Sequence, residues 1–131
     1  MKKKALVIDD DPYFLDVCIE YLKDKGLHVS SLLSPSCTMI EQNLETCPMN
    51  APCYDIVLSD NNMPKMKGLE FFFYLSQRGC KVPAYCKALI SGDISPQDRG
   101  IAEGMGCKVF QKPTPLHRVD SWIDDVLGRD S

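Results

Sequence analysis

Histidine is scarce in this 131-residue chain, and so are tryptophan and long apolar runs. The two histidines, His28 and His117, have no partner at metal-ligand spacing, which argues against zinc. No Cys-x-x-Cys pair occurs among the seven cysteines at positions 18, 37, 47, 53, 80, 86 and 107, and the odd count makes a closed disulfide framework unexpected. Several of them fall within apolar patterns, where a thiol packs as a small core side chain. Reduced thiols in a cytoplasmic protein are the main reading, and a redox pair at Cys47 and Cys53 the secondary one. An excess of positive charge is missing too. With 15 basic and 18 acidic residues the net charge is -3, so electrostatics make no case for nucleic-acid or membrane binding. The lysines at positions 2–4 could open a signal peptide. However, the apolar run behind them ends at Ile8 against Asp9, Asp10 and Asp11, so neither secretion nor membrane spanning is expected.

What is present is an ordinary globular composition, 44% hydrophobic and 25% charged, at a length that suits one domain over residues 1–131. Short β-branched runs alternate with amphipathic stretches. Strands are expected at 5–8, 27–33, 56–58, 84–90 and 107–111, each followed by a helix. Asp11 and Pro12 suit the start of the first helix and Gly26 its end. Phe14, Val17, Cys18 and Tyr21 are expected on its apolar stripe, with Leu15, Ile19 and Leu22 beside it. A second helix is expected from Ser34 to about Glu45, and a loop over 46–53. The third helix runs from Gly68 to about Gln77, with Leu69, Phe72, Phe73 and Ser76 on one side and Phe71 and Tyr74 extending the apolar surface. The fourth runs from Ser95 to about Met105. Thr114 and Pro115 open the last, whose core face is Leu116, Val119, Ile123, Val126 and Leu127. Five alternating strands and helices imply an α/β fold: a doubly wound, five-stranded parallel sheet with five helices, in the flavodoxin-like order 2-1-3-4-5.

In that order the carboxyl ends of four strands meet at one edge. The first brings Asp9 and Asp10, the third Asp60, the fourth Ser91 and the fifth Lys112. Each has an ordinary explanation alone, as a cap or a solvated side chain. Together, three crowded carboxylates repel one another unless a cation joins them. Oxygen ligands that leave room for water suit Mg²⁺. A hydroxyl and an ammonium complete a pocket for a phosphoryl group, with Asp60 as a nucleophile.

The motifs Leu6-Val-Ile-Asp9-Asp10-Asp11-Pro12, Asp55-Ile-Val-Leu-Ser-Asp60-Asn-Asn-Met-Pro64-Lys-Met-Lys-Gly68, Leu89-Ile-Ser91-Gly92 and Phe110-Gln-Lys112-Pro113 stand in this order. With them the chain resembles the receiver domains of two-component response regulators over essentially its whole length. The resemblance implies that Asp60 accepts a phosphoryl group from a histidine kinase or phosphotransfer protein. It also implies that Asp9, Asp10, Asp60 and the Asn62 carbonyl hold Mg²⁺, that Ser91 is the switch hydroxyl, and that Lys112 pairs with the phosphoryl group. Such a domain promotes only its own phosphorylation and dephosphorylation. It reports through the face of the fourth helix, fifth strand and fifth helix. The output partner and homodimerisation stay open.

Val109 stands where the family usually has an aromatic ring, Gly92 follows the switch hydroxyl, and Lys67 replaces a common Asp. Asn62 and Asp93 occupy positions that influence dephosphorylation, and no unusually long-lived phosphoryl state is expected. A phosphorylation-independent interaction module is the first alternative. A Mg²⁺-dependent aspartyl-phosphate hydrolase is the second, disfavoured because Asn62 stands where its acid/base carboxylate would be.

Overall fold

A computed structural model describes residues 2–128, apart from the side chain of Leu116. The strands are β1 (Lys4–Ile8), β2 (His28–Leu32), β3 (Ile56–Ser59), β4 (Lys87–Ser91) and β5 (Lys108–Gln111). The helices are α1 (Pro12–Asp24), α2 (Thr38–Glu41), α3 (Gly68–Gln77), α4 (Pro96–Met105) and α5 (Leu116–Gly128). All strand pairs are parallel, in the order β2-β1-β3-β4-β5. This is the flavodoxin-like arrangement that the alternation predicts. β3 and β4 are buried along their full length, as central strands covered on both faces must be.

Alternation along the strands separates two layers. Leu58 and Ile90 meet Cys18 and Leu22 of α1 and Val119 of α5. Leu6 and Val57 face Phe71 and Leu75 of α3 instead. Val119, Ile123 and Val126 of α5 are buried as expected, and Leu127 is partly buried; the side chain of Leu116 lies outside the described residues. Lys25, at the end of α1, pairs with both Asp120 and Asp124 of α5.

Local signals act as the residue types require. The Asp11 carboxylate accepts from Tyr13 N–H at 3.0 Å and Ser95 Oγ accepts from Asp98 N–H at 3.0 Å, each capping a helix with proline in its first turn. Gly106 ends α4 at φ +96°, a left-handed conformation that glycine adopts without strain.

Three expectations need correction. α2 is a single turn, not a helix to Glu45: Asn43 turns left-handed at φ +53° and ends it. β4 begins at Lys87, not residue 84, because Ala84–Cys86 forms a 3-10 turn in which Cys86 N–H bonds to the Pro83 carbonyl. The core stripes are also rotated. Val17 and Phe73 are 52% and 51% exposed, while Leu15, Cys18 and Leu22 of α1 and Leu69, Phe71, Phe72 and Leu75 of α3 are buried. At 100° per residue, Val17 and Phe73 each fall roughly 130° from the centre of the buried arc. Adjacent phenylalanines in α3 therefore should differ sharply under urea unfolding. Phe72→Ala should lose about 3–5 kcal/mol, and Phe73→Ala should stay within about 0.5 kcal/mol of the parent.

Candidate functional site

The ends of β1, β3, β4 and β5 build a cleft at the carboxyl edge of the sheet. One carboxylate oxygen from each of Asp9, Asp10 and Asp60 lies within 4.8 Å of the others. Asp9 and Asp60 are buried, and Asp10 is exposed. Each buried carboxylate has fixed partners. Asp9 Oδ1 accepts from Asp11 N–H at 2.9 Å, and its Oδ2 meets Lys112 Nζ at 3.0 Å. Asp60 Oδ1 accepts from Asn62 N–H at 3.3 Å. Burial, and then the charge of Asp9, hold the Asp60 carboxyl above its usual range, against the pull of the backbone donors and Lys112. The same burial, with Asp9 nearby, pushes the Cys18 thiol up to about 11, so it stays protonated and unreactive at neutral pH.

Ser91 is fully buried at the end of β4. Its Oγ accepts from Asn62 Nδ2 at 3.2 Å and from Asp93 N–H at 3.4 Å. The Asn62 amide also donates to the Asp93 carbonyl at 3.2 Å. One asparagine thus connects the Asp60 carboxylate, the Ser91 hydroxyl and the loop before α4. Lys112 is held from two sides, by Asp9 and by the Phe14 ring, whose centroid is 4.0 Å from Nζ. Phe14 reads from sequence as part of a core stripe, and only the fold shows it beneath the lysine.

Asn61 is a site-building residue that the sequence pattern gave no reason to select. It is 1% exposed, its Oδ1 accepts from Leu69 N–H at 3.0 Å, and its Nδ2 reaches Asp98 of α4 at 3.5 Å. It therefore caps α3 from outside the helix and ties it to α4. Lys67 Nζ reaches the same Asp98 oxygen at 3.5 Å, so the departure at this position links the two helix starts. Gly68 sits against the end of β3. A Cβ there would run into the Asp60 carbonyl oxygen and come within 2.8 Å of Leu89 Cδ2.

All the acidic ligands are hard oxygens, with no sulfur or imidazole among them. This donor set fits Mg²⁺ better than zinc.

Two measurements follow from this geometry. Between the ordinary carboxylate value and the raised one, the folded chain keeps a proton on Asp60 that the unfolded chain has lost. Stability therefore falls as pH rises through that window, and the ionised carboxylate weakens the fold above it. In EDTA at neutral pH, Asp60→Asn should melt above the parent protein, and the gap should close as pH drops below the window. Gly68→Ala should cost about 1–3 kcal/mol in urea unfolding, because a backbone oxygen cannot move aside as a side-chain tip can.

The family model for the response regulator receiver domain matches residues 5–118. A two-component response regulator of Arabidopsis thaliana, ARR11, is 28% identical over 126 residues, covering 96% of this chain and 23% of its own length. The chain thus spans less than a quarter of that relative. Among solved structures, the receiver domain of the Francisella response regulator 1452 superposes with a TM-score of 0.78 at 18% identity, covering 99% of this chain and all of that one. A response regulator receiver domain protein from Clostridium thermocellum gives 0.74 at 22% identity, with 98% and 96% covered. Matched over most of its length and folded the same way, this chain belongs to the response regulator receiver domain family.

Proposed function

We propose that residues 1–131 act as one receiver domain in which Asp60 accepts a phosphoryl group from the phosphohistidine of a histidine kinase or phosphotransfer protein. The observation that supports this most directly is the convergence of Asp60 with Asp9, Asp10, Ser91 and Lys112 on one cleft. An Asp60 carboxylate oxygen attacks phosphorus as the bond from phosphorus to the imidazole nitrogen breaks. That nitrogen leaves with the electron pair and is neutralised by a proton. Asp9, Asp10, Asp60 and the Asn62 carbonyl would hold Mg²⁺, which supplies charge neutralisation for the transferring oxygens.

The chain's own groups do the remaining work. Ser91 Oγ accepts two hydrogen bonds, which leaves its own hydrogen to donate to a phosphoryl oxygen. Lys112 turns its ammonium from Asp9 towards the new charge. Because the Ser91 oxygen is tied through Asn62 to the Asp93 carbonyl, a shift of the hydroxyl pulls on the loop that leads into α4. Val109 is buried in β5 and has no ring to swing. Phe110 packs edge-on against Trp122 of α5 at 5.9 Å instead. The Asn62–Ser91–Asp93 path is therefore the proposed carrier of the signal to the face of α4, β5 and α5. The Asn62 side chain is an amide committed to Ser91 and Asp93, a poor acid/base group, and this weighs against a hydrolase acting on external substrates. This reading puts the domain in the cytoplasm; among the described residues no helix is long and apolar enough to cross a membrane.

Acetyl phosphate with Mg²⁺ should label the protein at one site, and beryllofluoride with Mg²⁺ should shift the amide resonances of residues 91–98. Asp60→Asn should abolish both responses, and Lys112→Ala should slow labelling on the order of a hundredfold. A parent protein indifferent to both reagents would instead be an interaction module that works without phosphorylation.

A further inference from the structure

A second cavity lies between the sheet and α2, α3 and the segment 42–55. Its volume is about 410 Å³, within the range of small-molecule pockets. Strand register builds the floor. Leu6 pairs with Ser30 and with Val57, and Val57 pairs with Lys87, so these four residues make one row across β2, β1, β3 and β4. Lys4, His28 and Lys87, which also line the cavity, begin their strands, whereas the acidic cleft lies at the carboxyl ends. Phe71 and Leu75 of α3 and Met39 of α2 form buried walls. The space exists because α2 stops after one turn. Segment 42–55 then passes over the sheet as a loop, and its Cys47, Met49 and Cys53 supply the outer wall.

The floor row ends in a cation. Lys87 is only 3% exposed and lines the cavity, and among the described residues no carboxylate forms an ion pair with its ammonium. Its nearest compensation is the Phe72 ring, 6.0 Å from Nζ to centroid, at the outer limit of a cation–π contact. A cation on a cavity wall with no carboxylate beside it attracts an anion that enters the cavity. The remaining charges lining the cavity favour the same sign of ligand: Lys4 and Lys81 stand against one carboxylate, Glu41.

We propose that this cavity binds a small apolar carboxylate, with its anionic group on Lys87 and its hydrocarbon body against Leu6, Val57, Phe71 and Leu75. Octanoate, titrated calorimetrically into the full chain, should bind one-to-one. The accompanying amide shifts should centre on residues 6, 57, 75 and 87. Octanol has the same chain without the anion and should bind the parent protein about ten- to a hundredfold more weakly. Lys87→Met keeps the stem and removes the charge. It should lower octanoate affinity to the level of octanol while its urea midpoint stays at or above that of the parent. Failure of octanoate to saturate the parent by about 1 mM would overturn the proposal. So would equal affinity for octanoate and octanol, or shifts centred on Asp9 and Asp60. The octanoate–octanol comparison needs no variant, so it decides the matter even if Lys87→Met does not fold.

Discussion

Mutual repulsion among Asp9, Asp10 and Asp60 is the constraint on which the rest of the cleft depends. Three carboxylates within 4.8 Å are an unfavourable arrangement, and two of them are buried. The protein tolerates it because β1 and β3, which lead to them, are held by buried core side chains along most of their length. Among the described residues one ammonium, that of Lys112, is fixed against the buried pair, on Asp9. Asp60 is left with backbone donors and a carboxyl pushed upward by burial. This arrangement costs stability, and a bound cation or a change of charge in the cleft would relieve it.

The loops around the cleft show how local residues can bind distant elements together. Two neighbouring asparagines divide the work. Asn61 turns inward, caps α3 and reaches Asp98 of α4. Asn62 turns to the cleft and holds Ser91 and the Asp93 carbonyl. Gly68 allows the start of α3 to lie directly on the Asp60 backbone. These contacts cross from the end of β3 to the end of β4 and to the starts of α3 and α4. A change at Asp60 therefore has short, hydrogen-bonded routes to α4 that do not pass through the buried Val109.

Much of the architecture was legible in the residues. Strand runs ending in Asp9, Asp60, Ser91 and Lys112, with capping residues and glycines between them, predict five parallel strands and the edge where those side chains meet. The misreadings have separate causes. Val17 and Phe73 are as apolar as their buried neighbours, and composition does not say where the arc of contact with the sheet is centred. The helix expected from Ser34 to about Glu45 is a single turn, because the backbone turns left-handed at Asn43.

Covalent neighbourhood therefore determined the element order, the caps, the parallel sheet and the set of polar groups at its carboxyl edge. Those follow from hydrophobic period, proline and glycine constraints and the handedness of crossovers. Tertiary structure alone decided which oxygen Lys112 takes, that Phe14 lies beneath it, that Asn61 caps a helix seven residues away, and that Lys87 ends beside a cavity without a counter-ion. Each of these depends on distances between strands and helices far apart in the chain, and no sequence period encodes such distances.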